Sequence, residues 1–328
     1  MTLKKRFFQN KLLGNSLYLY LAHFADYILL IIFLPFIAQT LGAEEFGKIS
    51  LAQTFGIFII LFFEFGSSLA LTREVSVKKQ NRLELDMLIG KVFLSKLLLF
   101  PITLIIAFLC VRLVPVFNEN PSHIFIVSIG AFFQGLSPFW YFQGIEKMKK
   151  IALSKFFFRL LSFIAIFFFI NSNEQGWLVL LTFSLSSIFI CLYLIFQLSK
   201  EIDSLSLPLI SQAVNVYRIS KSSFLITIVP VFVQSVTVLF LSSAIGPLQL
   251  GFYYGANRIY RAANSLFGPI GQAFFPNIAR IHSFNEQKAF LLTKNFFFGL
   301  TLFGIFMFLI IFFFSEQVVL IFLGKEYL

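Results

Sequence analysis

Arg258 and Arg261 stand three residues apart inside a long apolar stretch, so on a helix they share one face. Arginine binds phosphate oxygens in a bidentate way, which makes the pair a candidate phosphate clamp. Lys155 and Arg159 repeat the arrangement at a spacing of four, and Lys96 is a further buried-type cation. Together these five residues suggest a cationic track, with Lys96, Lys155 and Arg159 towards one face of the chain's environment and Arg258 and Arg261 towards the other. Snorkelling to an interface is the competing explanation, strongest for Lys155 and for the arginines beside Tyr253, Tyr254 and Tyr260. His23 and Asp26 also share a helical face, and such a pair can titrate or exchange an ion. Glu64, followed by Gly66-Ser67-Ser68, is a candidate ion-pair partner or coupling carboxylate. Trp140 and Tyr141 form an aromatic run that could stack on a sugar or line an interface. No spacing suits a metal: Cys110, Cys191, His23, His123 and His282 are scattered.

These residues matter because of what surrounds them. Of 328 residues, 58% are apolar, 49 are Phe and only 12% are charged, and mean hydropathy is +0.87. A soluble domain carries about 25% charge. So much apolar surface excludes a soluble enzyme, a disordered chain and a disulfide scaffold. The chain reads as an all-α, polytopic bundle of transmembrane helices. An ionisable group in such a span costs at least about 2.5–3.5 kcal/mol on insertion scales, so each one is a functional candidate.

Nine spans are predicted: 12–38, 49–70, 88–113, 122–143, 151–170, 177–198, 223–244, 251–276 and 290–314. The net charge of +11 follows from the connections. Lys4, Lys5, Arg6 and Lys11 open the chain, and Arg73, Lys78, Lys79, Lys147, Lys149, Lys150, Lys200, Arg218 and Lys221 fall in alternate loops. The intervening loops hold only Lys48 and Arg112. This bias places the N-terminus and the even-numbered loops in the cytoplasm. It accounts for the basic charge without nucleic-acid binding. The basic start runs into an apolar stretch with no cleavage site, so it reads as a retained first helix.

An internal repeat lies at an offset of 204. Leu41-Gly42-Ala43-Glu44-Glu45-Phe46-Gly47 through Ala52 matches Ile245-Gly246-Pro247-Leu248-Gln249-Leu250-Gly251 through Ala256, with Gly42 on Gly246, Gly47 on Gly251 and Ala52 on Ala256. Each segment joins an outward helix to a returning one. Two six-helix repeats of the same orientation are a transporter architecture. The expected organisation is a six-helix lobe over 1–200, a cytoplasmic linker over 201–222 and a partial, three-helix lobe over 223–328. On that scheme the second repeat is three helices short, roughly 80–100 residues.

Three stretches then make the chain recognisable. They are Thr40-Leu41-Gly42-Ala43-Glu44-Glu45-Phe46-Gly47 with Leu71-Thr72-Arg73-Glu74; Pro138-Phe139-Trp140-Tyr141-Phe142-Gln143-Gly144-Ile145-Glu146-Lys147-Met148; and Gly251-Phe252-Tyr253-Tyr254 through Arg258-Ile259-Tyr260-Arg261 to Pro269, Gln272, Pro276 and Arg280. The segment Phe322-Leu323-Gly324-Lys325-Glu326-Tyr327 adds to them. The chain resembles the Wzx-type O-antigen and polysaccharide-biosynthesis flippases of the multidrug/oligosaccharidyl-lipid/polysaccharide exporter superfamily.

That resemblance implies a transporter rather than an enzyme, with no cofactor. Its cargo would be an undecaprenyl-pyrophosphate-linked oligosaccharide, flipped across the bacterial inner membrane by alternating access, coupled to an ion. Other O-antigen assembly proteins would be its partners, beside the lipid bilayer. The competing expectations are a drug or cation antiporter of the same superfamily, disfavoured by the basic cavity residues, and an inactive truncated remnant. An O-antigen polymerase would carry a large periplasmic loop, and direct ATP hydrolysis a P-loop; the sequence has neither.

Overall fold

The computed structural model describes residues 2–202, 208–265, 278, 281 and 285–328, without the side chains of residues before Leu29 or of Leu30. Every regular element among the described residues is helical. The long helices are α1 (Thr2–Glu64), α3 (Arg82–Leu113), α5 (Pro121–Leu136), α7 (Met148–Phe169), α8 (Trp177–Ser199), α9 (Ile210–Ala244), α10 (Pro247–Ser265) and α11 (Glu286–Phe313). Shorter helices are α2 (Ser67–Lys78), α4 (Pro115–Glu119), α6 (Phe139–Gly144) and α12 (Ser315–Phe322). Among the described residues, seven stretches are long and apolar enough to cross a membrane, so this is a multi-pass membrane protein.

Seven stretches correspond to the nine predicted spans for two reasons. The first stretch, Ile31–Lys78, is 48 residues long and includes parts of the first two predicted spans. At 1.5 Å per residue it would run about 72 Å, far beyond a hydrocarbon core of about 30 Å. The chain solves this by bending at Gly42, whose backbone (φ 72°, ψ 168°) only glycine adopts readily. The second difference is the predicted span 251–276, of which 266–276 lie outside the described residues, while its described part in α10 carries Asn257, Arg258, Arg261 and Asn264 and is too polar to count by composition.

The bend turns α1 into a hairpin of two arms, 2–41 and 43–64. Phe33 stacks on Phe163 at 4.7 Å and Phe36 meets Phe167 at 5.0 Å, so the first arm runs parallel to α7. Gly56 packs on Val127 and Gly135 on Phe63, so the second arm runs parallel to α5. Phe158 stacks on Phe189, and Phe163 meets Phe183, which makes α7 and α8 antiparallel. Arms, α5, α7 and α8 thus enclose one apolar core built on Leu34, Phe46, Phe55, Phe63, Phe117 and Phe163.

A second break differs from the continuous span predicted over 49–70. At Phe65 (φ 41°) and Gly66 (φ 68°) the chain turns and restarts as α2. A Cβ on Gly66 would lie 2.2 Å from the Phe224 backbone nitrogen, so α9 crosses hard against this turn. Helix α9 also starts at Ile210, inside the stretch expected to link the two halves. Its Tyr217 hydroxyl donates to the Ser95 carbonyl of α3. The runs 156–158, 167–169 and 312–314 are rich in Phe and turn outward: Phe157, Phe168 and Phe313 are all exposed, the usual outcome where lipid replaces water. Pro230 lies within α9, whereas Pro269 and Pro276 fall outside the described residues.

Candidate functional site

The two repeated glycine segments meet each other. Helix α10 lies against the second arm of α1, and a Cβ on Gly47 would sit 2.2 Å from the Pro247 carbonyl oxygen and 2.7 Å from the Gly251 nitrogen. A Cβ on Gly251 would come within 1.8 Å of the Ala43 carbonyl oxygen. Two backbones approach this closely only where neither carries a side chain. One turn further on, the Tyr254 hydroxyl donates to Thr54 Oγ1 at 3.0 Å. One turn beyond that, Arg258 donates to Gln53 Oε1 and, at 3.4 Å, to Ser50 Oγ, and its guanidinium lies 5.2 Å from the Phe46 ring centroid.

The segment after α12 closes the bend end of this junction. Glu326 Oε1 accepts the Ala43 backbone N–H at 3.2 Å. Ala43 opens the second arm, so this carboxylate caps a helix N-terminus from 283 residues away. Tyr327 donates to the Ala38 carbonyl and meets the Phe46 ring edge-on at 6.1 Å. Burial first, and then the adjoining Glu326 carboxylate, push the Tyr327 phenol above its ordinary range.

Residues 12–282 match the polysaccharide biosynthesis protein family, well over half of the chain. The chain belongs to that family. Two curated relatives carry the name "Putative O-antigen transporter". That of Escherichia coli (strain K12) is 27% identical over 285 residues, covering 86% of this chain and 68% of the relative. That of Shigella dysenteriae is 25% identical over 315 residues, covering 95% and 78%. No solved structure matches the chain.

In this polysaccharide biosynthesis protein the candidate cations separate into distinct settings. Helix α10 begins at Pro247, four residues before the predicted span, so Arg258 and Arg261 lie about 16 and 21 Å along it from the bend end. Arg258 is committed to Gln53 and Ser50. Arg261 is half-buried and, among the described residues, makes no hydrogen bond or ion pair. Arg159 lies about 16 Å into α7 from the opposite end and stands 4.9 Å over the Phe183 ring. Lys155 stands 4.3 Å over Phe139, near the end opposite the bend. Lys96 is buried in α3 and donates to the Gly135 carbonyl, which belongs to the last turn of α5. That is a favourable place for a cation, because the carbonyls of a helix C-terminus carry partial negative charge.

The carboxylates and aromatics sort as clearly. Glu64 ends the second arm just before the Phe65–Gly66 turn, half-buried and, among the described residues, in no ion pair. His23 and Asp26 lie on the helical backbone of α1, and their side chains fall outside the described residues. Trp140 and Tyr141 are 2% and 4% exposed, packed with Leu71, Val75, Leu88 and Leu194 in a second apolar cluster. Their rings are covered in this conformation, so stacking on a sugar would require α6 to move. The sequence expectation of an interfacial belt fails here because α6 folds inward between α2 and α7.

Between the second arm, α5, α7 and α8 lies a cavity of about 510 Å³ lined by Gln53, Gln134, Arg159, Phe183, Ser184 and Ser187 among others. Gln53 and Gln134 carry no formal charge, so a search for ionisable residues in spans passes over them. The signal was present nonetheless, since each is an amide inside an otherwise apolar run. Glu326 and Tyr327 had no local signal, because their partners lie at the other end of the chain.

Proposed function

We propose that this protein flips a lipid-linked polysaccharide repeat unit, of the O-antigen class, across the bacterial inner membrane. Its N-terminus faces the cytoplasm, and the two repeats rock about the junction where α10 meets α1. The cargo is an undecaprenyl-pyrophosphate-linked oligosaccharide. Its lipid tail stays in the bilayer while the pyrophosphate needs cations at mid-depth. Family membership and the names of the two relatives support the cargo class. The observation that carries the reading is Arg261: a cation deep along α10, beside the repeat junction, with its donors not spent on the described protein. Arg258 holds the junction, and Arg261 takes the phosphate oxygens. Arg159, Lys155 and Lys96 continue the positive character towards the cytoplasmic side. Asp26, His23 and Glu64 are the groups to which a coupling ion is assigned.

The test is surface display of O-antigen in cells that depend on this protein. Arg261→Ala abolishes display while membrane abundance stays at the wild-type level, and Arg261→Lys restores part of it. Wild-type display by Arg261→Ala would overturn the assignment.

A further inference from the structure

We infer that the face of α9 turned away from α2 and α3 is a binding site for one anionic phospholipid of the bilayer, with Arg218 and Lys221 holding its phosphate. Helix α9 has 35 residues, about 52 Å at 1.5 Å per residue, whereas the hydrocarbon core is about 30 Å thick. Its continuous apolar section starts at Phe224, so the turns from Ile210 to Ser223 stand at the interface, at the end opposite the bend. One side of those turns is already spent. Ala213, Val216 and Ser220 are buried, and Tyr217 donates to the Ser95 carbonyl of α3. The other side carries a single stripe: Val214, Arg218, Lys221, Leu225, Val229 and Phe232 follow one another at spacings of three and four, and all are exposed. Arg218 and Lys221 make no hydrogen bond or ion pair among the described residues, and no acidic residue occurs between Ile210 and Ala244. Carboxylates at the same end are taken: Glu74 is held by Lys78 and Glu201 by Lys147.

The order of groups along the stripe is the order of groups in a lipid. Arginine grips phosphate oxygens with a fork of donors and lysine adds a point charge, so two cations one turn apart serve one headgroup. Phe232 lies about 16 Å beyond Lys221 along the helix at 1.5 Å per residue, about one leaflet of a core of about 30 Å. Acyl chains therefore have exposed apolar side chains beside them for their whole depth. A free phosphate ion would use the cations and leave the rest of the stripe idle. A zwitterionic lipid brings an ammonium that the two cations repel, so the site selects net negative charge. The bound lipid anchors the half of α9 that crosses the Gly66 turn. Only its assignment to the cytoplasmic leaflet rests on the orientation proposed above.

The experiment is thermal unfolding of the purified full chain in detergent at constant ionic strength, titrated with dioleoyl phosphatidylglycerol while dioleoyl phosphatidylcholine keeps total lipid constant. The wild-type Tm rises saturably with phosphatidylglycerol, as linkage requires for a ligand of the native state. Arg218→Gln abolishes the saturable rise, and Lys221→Gln weakens apparent affinity on the order of tenfold, the loss of about one hydrogen bond to a charged group. Both variants keep the wild-type Tm in phosphatidylcholine alone, because both positions are exposed. Lys200→Gln is the control, an exposed cation at the same end that stands over the Phe196 ring, and it leaves the titration unchanged. A non-saturating rise in the wild type, or an equal loss in Lys200→Gln, would reduce the effect to general attraction and overturn the site. So would unchanged saturation in either Arg218→Gln or Lys221→Gln. An equal rise with inorganic phosphate, or a saturable rise with undecaprenyl phosphate that phosphatidylglycerol fails to give, would overturn the phospholipid as occupant. Loss of display in Arg261→Ala bears on the transport reading alone.

Discussion

Gly47 and Gly251, equivalent positions of the internal repeat, pack against each other so closely that a Cβ on Gly47 would lie 2.7 Å from the Gly251 nitrogen. A repeat that was only a similarity of letters is thereby a contact between two helices. The small residues remove the steric barrier, and the Tyr254–Thr54 and Arg258–Gln53 bonds, one turn apart on α10, reach two adjacent residues of the second arm.

Side chains at these two positions should separate the helices. Gly251→Ala is expected to destabilise the protein by about 1–3 kcal/mol or more, the cost of overpacking, and Gly47→Ala by a similar amount. Gly299→Ala is the control: nothing lies within 4 Å of its Cβ position. It should be neutral or stabilising by up to about 1 kcal/mol, the helix-propensity difference. Thermal unfolding of the three variants in one detergent checks the order.

The Glu326–Tyr327 cap should show a pH signature. A phenol whose folded pKa is raised contributes stability that is full below the unfolded pKa, with a reference value of 10.0, and is lost as pH rises beyond it. Wild type should therefore lose more stability than Tyr327→Phe between about pH 8 and about pH 11. Equal losses would show that Tyr327 is as exposed to water in the folded protein as in the unfolded one. Glu326→Ala should cost about 0.5–2 kcal/mol at neutral pH, as for loss of an N-cap.

Lys96 donates to the Gly135 carbonyl where α5 gives way to α6. Lys96→Met should destabilise by about 1.5–3 kcal/mol, the range for a hydrogen bond to a charged group. The loss should appear as faster proteolysis or hydrogen exchange at residues 135–144. Loss of O-antigen display without any change in stability or exchange would instead place the ammonium on the cargo's path.

Trp140 fills the cluster between α2, α3, α6 and α8. Trp140→Ala should cost about 3–5 kcal/mol, as for large-to-small changes in a core. Trp140→Phe should restore most of the stability. If display falls in Trp140→Phe while stability recovers, the indole has a role in transport beyond packing.

The sequence by itself determined the class of the protein and most of its helices. Apolar runs of about 20 residues have few alternatives, because a backbone in hydrocarbon must satisfy its hydrogen bonds locally. The offset of 204 between Gly47 and Gly251 was also legible, since glycine at fixed spacing survives as a pattern. The tertiary structure decided the rest. Only it shows that the two glycines touch, that α1 bends at Gly42 under a carboxylate from Glu326, and that the span over 49–70 breaks at Gly66 where α9 crosses. Only packing distinguishes Arg258, held by Gln53 and Ser50, from Arg261 three residues later, or turns Lys96 to a helix end and Trp140 into a core. Composition reports what a residue costs in the membrane, while its partner is fixed by a neighbour that is 68 positions away for Trp140 and Thr72, and 283 for Ala43 and Glu326.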